Sequence, residues 1–270
     1  MKVALIPPRG LENCALRSKF HLALAIPDLM RRQMYGGMYT RMATLGDYVV
    51  LDNGLAEGCP ATPEQILQYA EQIKAKEVVL PDVMKDAHAT IKAVKAFLAL
   101  DIELKYSFMA VVQGNTLPDF KFCVEAFAHQ PFVSVIGIPR HMLETLNVKS
   151  ARINLAQWIT ENYPERFDIH FLGTNPVWLP EVRHAVKYVP FVRSVDTSMP
   201  FSYAIAGEHL ALTKKQITRP TFYFERDWVH GVDGGLLRAN IRTLLDWANA
   251  DASGVRTETS ARKLRVVSTP

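Results

Sequence analysis

Short apolar runs at residues 48–51, 78–80, 108–112, 132–136, 169–172 and 191–195 are rich in β-branched and aromatic residues. They are continuous rather than alternating, the pattern of strands covered on both faces, so each predicts a strand of a parallel sheet. Stretches with helical spacing lie between them, at 63–74, 86–98, 119–128, 148–162 and 180–187, and a further amphipathic stretch covers 237–248. The helix at 63 has the clearest start: Thr62 caps, Pro63 suits the first helical position and Gln65 completes a capping box. Upstream of Tyr48 the pattern is weaker, but 3–6 and 22–26 read as two more strands, which brings the total to eight.

Eight strands alternating with helices predict a (β/α)8 TIM-like barrel in a single domain. The rival, an open doubly wound sheet, would bring a phosphate loop, and neither G-x-G-x-x-G nor G-x-x-x-x-G-K-[S/T] follows any strand. A length of 270 residues suits one such barrel, with 1–250 as the catalytic domain. The segment 251–270, rich in Ser, Thr and Arg without periodicity, reads as a mobile basic tail.

Composition narrows the class. Hydrophobic residues at 49% and charged residues at 21% describe a globular protein, not a disordered or fibrous one. No apolar run approaches the roughly 20 residues of a membrane helix, and the apolar start is too short for a signal peptide, so a cytoplasmic location without membrane contact is expected. Cys14, Cys59 and Cys123 are scattered, and the eight histidines form no H-x-H or H-x-x-x-H pair. Neither a disulfide framework nor a metal site is indicated, and no cofactor is expected. A net charge of +4 is compatible with a polyanionic partner without requiring one.

Candidate chemistry sits where the strands end. Leu51 is followed by Asp52, Leu80-Pro81 by Asp82, Val112 by Gln113 and Gly114, Ile136 by Gly137, Leu172 by Gly173, and Val195 by Asp196. In a barrel these ends converge on the C-terminal rim, where barrel enzymes carry their reactions. Three carboxylates on one rim raise each other's pKa and lose hydration, a cost that proton transfer, nucleophilic attack or a polar ligand would explain. The plainer alternative is that each aspartate caps the helix that follows it.

At these positions the chain resembles the tRNA-guanine transglycosylase family, barrel enzymes that exchange a guanine base for a 7-deazaguanine. Asp52-Asn53-Gly54 is similar to the family's D-S-G-G loop, Val112-Gln113-Gly114 to its V-Q-G, and Gly137-Ile138 stands for its G-L-A loop. Leu80-Pro81-Asp82 falls where the family's base-reading aspartate follows a strand. Leu172-Gly173-Thr174-Asn175-Pro176 resembles L-M-G-x-G-x-P, and Asp196-Thr197-Ser198-Met199-Pro200 keeps the D-x-x-x-P around the nucleophilic aspartate. The resemblance covers about residues 50–205. It implies that Asp196 attacks the anomeric carbon and that Asp52 is the general acid and base. It also implies that Asp82, Gln113 and Gly137, with Gly114 beside them, bind the purine, and that Leu172 and Gly173 line its pocket.

The sequence departs from the family in three ways. Its C-x-C-x-x-C zinc group is missing, Leu55 replaces the second glycine of D-S-G-G, and Phe201 replaces the arginine after the last proline. Absence of the zinc-bearing region favours the branch, found among phages and bacteria, that inserts 7-deazaguanine into DNA, with tRNA the alternative polymer. Arg140, Lys214, Lys215 and Arg219 are candidates for backbone phosphates, as are Arg31, Arg32 and the tail's Arg256, Arg262, Lys263 and Arg265. Tyr35, Tyr39, Tyr106 and Phe201 could stack on a base, although aromatic residues in such numbers more often belong to the core. Two other functions stay open, an N-glycoside hydrolase or nucleosidase on the same barrel and a non-catalytic nucleic-acid-binding subunit.

Overall fold

The computed structural model describes residues 1–100, 105–174 and 192–249. Parallel strands follow one another around a single, nearly closed barrel: β1 (Lys2–Leu5), β2 (Phe20–Leu24), β3 (Tyr48–Asp52), β4 (Glu77–Val79), β5 (Ser107–Val111), β6 (Val133–Pro139), β7 (Asp168–Leu172) and β8 (Val192–Thr197). Hydrogen-bonded neighbours run β1-β8-β7-β6-β5-β4-β3-β2. Ser18 spans the remaining seam, its hydroxyl 2.6 Å from the Val3 carbonyl oxygen and 3.0 Å from that of Phe20.

Helices fill the connections: α1 (Pro27–Met30), α2 (Gln33–Thr44), α3 (Pro63–Ile73), α4 (Ala87–Leu98), α5 (Leu117–Ala128), α6 (His141–Leu146), α7 (Ala151–Asn162), α8 (Met199–Ile205) and α9 (Gly234–Asn249). The expected (β/α)8 architecture is therefore present. The expected helix at 180–187, residues Asn175 and Pro176, and the tail 251–270 lie outside the described residues. None of the described helices is long and apolar enough to cross a membrane.

Two stretches differ from expectation. Residues 33–44 form a helix that Gly36 and Gly37 conceal in the sequence; a Cβ at Gly36 would stand 3.1 Å from Gln72 Nε2 and 3.2 Å from the Met30 carbonyl, a tight approach of the helix to its neighbours. The stretch 148–162 begins later than its spacing suggests. Asn147, in the left-handed region at φ 50°, closes the short helix α6, and α7 starts only at Ala151.

One continuous apolar core joins barrel and helices, and strand residues such as Val50, Val79, Met109 and Ile136 have no solvent exposure. Helices bury one face against it, as α3 does through Ile66, Ala70 and Ile73. Helix starts are capped by Thr62, Asp86 and Thr116, the first and last in capping boxes with Gln65 and Asp119. The rim aspartates cap none of these helices, so that plainer explanation of them fails.

The barrel floor is closed by charge. Val192 and Ser194 stand opposite Ile169 and His170, which leaves Arg193 as the extra residue of a bulge in β8. Its guanidinium bonds both oxygens of Glu77, at 2.7 and 2.9 Å. Three strands separate β8 from β4 in the sheet, so this pair crosses the interior. Tyr48 donates its hydroxyl to Glu77 at 2.7 Å, and Arg193 lies over the Phe20 and Tyr48 rings.

Candidate active site

The strand ends bring Asp52, Asp82, Gln113, Gly137, Leu172, Gly173 and Asp196 to one rim. Three aspartates, with the side chains around them, form its polar centre.

Asp52 closes β3 and is 8% exposed. Its Oδ1 accepts the Gly54 N–H at 2.8 Å, which turns the chain sharply after the strand. Burial raises its carboxyl pKa to about 7; the Gly54 bond opposes that rise, and the charges of Asp196, Asp82 and Glu57 add to it. All three aspartates follow or end strands of the one barrel and so share its C-terminal rim.

Asp82 is held between two amides. Asn53 Nδ2 donates to its Oδ1 at 2.7 Å and Gln113 Nε2 to its Oδ2 at 2.5 Å. The far ends of both amides are also used: Asn53 Oδ1 accepts the Leu55 N–H at 2.9 Å, and Gln113 Oε1 accepts the Lys85 N–H at 2.9 Å. These backbone donors fix which end of each amide faces the carboxylate. Burial raises the Asp82 pKa to about 6, with the two amide bonds pulling the other way. Gln113 is 1% exposed, so its amide chiefly orients Asp82, with one N–H left over. Nothing in the sequence marks Asn53 for this role beyond its place inside the D-N-G loop.

Asp196 is tethered from beneath. Its Oδ1 accepts the Gly173 N–H at 2.8 Å and lies 3.2 Å from His170 Nε2. Gly173 holds a left-handed conformation, φ +67°, that aims its N–H at the carboxylate. Arg152, fully buried on α7, supports this loop by donating to the carbonyls of Leu172 and Gly173, each at 2.9 Å. A Gly173→Ala variant should therefore lose about 1–2 kcal/mol of stability, the cost of the left-handed region for a residue with a Cβ, together with the Asp196 bond. Urea unfolding checks the first effect, and an unchanged midpoint would rule it out.

Gly137 and Gly114 provide space. A Cβ on Gly137 would come within 3.0 Å of both Leu172 Cδ1 and Met109 Sδ, and one on Gly114 would meet Asp119 Cβ at 2.3 Å. The Gly137 carbonyl is already taken by the Val112 N–H at 3.0 Å.

Of the two places the sequence offers the aromatics, Tyr35, Tyr39 and Phe201 take the core, and the first two spend their hydroxyls on the backbone of β2, at Leu24 and Leu22. Tyr106 bonds Glu71 away from the rim. None of the four is placed to stack on a base. Among the cations, Arg219 is engaged bidentately by Glu57, Lys215 by Glu208 and Arg31 by Asp28, while Arg32 donates to the Phe224 carbonyl. Arg140 donates its backbone N–H to the Leu172 carbonyl, and its side chain is half-exposed and 3.9 Å from Glu144; Lys214 is exposed. Cys14, Cys59 and Cys123 are free thiols, and among the described residues no group of three His, Cys, Asp or Glu could hold a metal ion.

This arrangement can supply a carboxyl group poised to give and take a proton, a second carboxylate held as an acceptor for N–H groups, and a third with one oxygen uncommitted among the described residues. Compared with models of known protein families and with curated proteins, the chain matches none.

Proposed function

We propose that the protein is a glycosyltransferase, a guanine transglycosylase that exchanges guanine in DNA for a 7-deazaguanine through a covalent aspartyl-glycosyl intermediate. The observation that supports this reading is that two carboxyls stand at strand ends on one rim, Asp52 with its pKa raised to about 7 and Asp196 with Oδ1 bonded by Gly173 N–H and 3.2 Å from His170 Nε2. In glycosidic chemistry a carboxyl whose pKa is raised by burial serves as the acid and a second carboxyl as the nucleophile.

In the first half-reaction an Asp196 oxygen bonds to the anomeric carbon as the bond from sugar to guanine breaks. The departing base takes a proton from Asp52. In the second, the 7-deazaguanine attacks the same carbon and gives its proton back to Asp52, and the Asp196 ester is released. Asp82, held by Asn53 and Gln113, offers acceptor oxygens to the N–H groups of the purine. Arg140, next to Gly173, and Lys214 are the candidate cations least committed to carboxylates, and they suit backbone phosphates. The preference for DNA over tRNA rests on the missing zinc-bearing region.

The experiment is incubation of DNA and of tRNA, in parallel, with radiolabelled 7-deazaguanine bases. Label entering DNA is the expected result. Label entering tRNA alone would change the polymer, and guanine release without incorporation would make the protein a hydrolase. Salt-dependent binding with no release would leave a binding subunit.

A further inference from the structure

His170 was not singled out by its sequence, where it interrupts an apolar strand, yet it lies directly beneath Asp196. It has no solvent exposure, and both ring nitrogens have partners: Nδ1 is 2.8 Å from Ser194 Oγ and Nε2 is 3.2 Å from Asp196 Oδ1. We propose that His170 is a positioning residue that donates Nε2–H to Asp196 Oδ1, so that Oδ2 is the oxygen that attacks the sugar. This rests on the transglycosylase reading for the identity of the attack, but not for the tether itself.

The direction of the hydrogen bonds follows from Arg193. A guanidinium only donates, and Arg193 Nε approaches Ser194 Oγ at 3.2 Å. Ser194 therefore accepts from below and has its own O–H to give upward. Given to His170 Nδ1, that hydrogen makes Nδ1 an acceptor and places the ring proton on Nε2, facing the carboxylate. The opposite tautomer would set a lone pair against Oδ1.

The chain of donors begins at the ion pair with Glu77, runs through Arg193, Ser194 and His170, and ends on one oxygen of Asp196. Gly173 N–H binds the same oxygen. With Oδ1 committed twice, the carboxylate can neither rotate nor present that oxygen without losing both bonds. Oδ2 has no such partner among the described residues and stays aligned. The β8 bulge is what makes this possible, since it sets Ser194 opposite His170 while Arg193 turns to Glu77.

Two measurements test the proposal. Nitrogen-15 NMR of the histidine rings in the wild-type protein should find His170 protonated on Nε2 and bare on Nδ1; a proton on Nδ1 overturns the tether. Kinetically, His170→Phe should slow formation of the covalent adduct roughly 10- to 100-fold, the usual effect of losing an orienting partner, and leave the KM for the incoming base unchanged. His170→Gln, whose amide can donate near the position of Nε2, should recover much of that loss. Equal rates in wild type and His170→Phe overturn the proposal, as does a Phe variant whose only change is in KM. If the wild type forms no adduct at all, the transglycosylase reading fails, and the NMR result alone decides the tether.

Discussion

Asp196→Asn should abolish the covalent adduct and reduce base exchange at least about 10⁴-fold, the scale on which enzymes lose turnover without their nucleophile. Asparagine retains an oxygen that can accept from Gly173 and His170, so the loop after β7 should keep its shape and thermal unfolding should change little. What is lost is the second carboxylate oxygen, which becomes an amide nitrogen without nucleophilic character. Denaturing gels of protein mixed with labelled DNA read the adduct directly. An adduct of normal yield in this variant would move the nucleophile elsewhere, with Asp52 as the next group to examine.

Asp52→Asn should be more stable than the wild type at alkaline pH and inactive in exchange. The wild-type carboxyl has a folded-state pKa of about 7 against an ordinary value of 3.8. A folded pKa above the unfolded one means that the folded protein holds its proton more tightly. Its stabilising effect is complete below pH 3.8 and is lost as pH rises through about 7. At about 1.4 kcal/mol for each pH unit, this loss is on the order of 4 kcal/mol. The asparagine variant has no proton to lose. Urea unfolding should therefore separate the two proteins by several kcal/mol at pH 8 and bring them within about 1 kcal/mol near pH 4. Asp82, raised to about 6, imposes a smaller slope of the same sign on both proteins. Parallel stability curves across that range would mean that the Asp52 pocket is wetter than its 8% exposure indicates. Under the proposed reaction the exchange rate of the wild type should peak near pH 7, because Asp52 would be protonated for one half-reaction and ionised for the other.

The strands and their ends were legible in the sequence because burial on both faces leaves a local mark, a short apolar run that stops at a polar residue. Asp52, Asp82, Gln113 and Asp196 could be found together because a barrel turns consecutive strand ends into neighbours. The supporting residues left no comparable mark. His170 is one polar residue in an apolar strand, and its contact with Ser194 depends on a bulge that only pairing with β7 defines. Arg152 reads as a surface arginine of an amphipathic helix, but it is fully buried among backbone carbonyls. The inward placement of Tyr35 and Tyr39 left no mark because α2, which carries them to the core, is interrupted in the sequence by Gly36 and Gly37.

The plug of Arg193, Glu77, Tyr48 and Phe20 has a consequence for the traffic of bases. With that cluster across the lower interior, under the proposed reaction the rim is the way in that the described residues leave, so the expelled guanine would retreat past the nucleic acid before its replacement enters. Two bases would never share the chamber. Exchange would then run as two separate visits to one vacancy, and free guanine would slow the reaction by taking the seat meant for the newcomer.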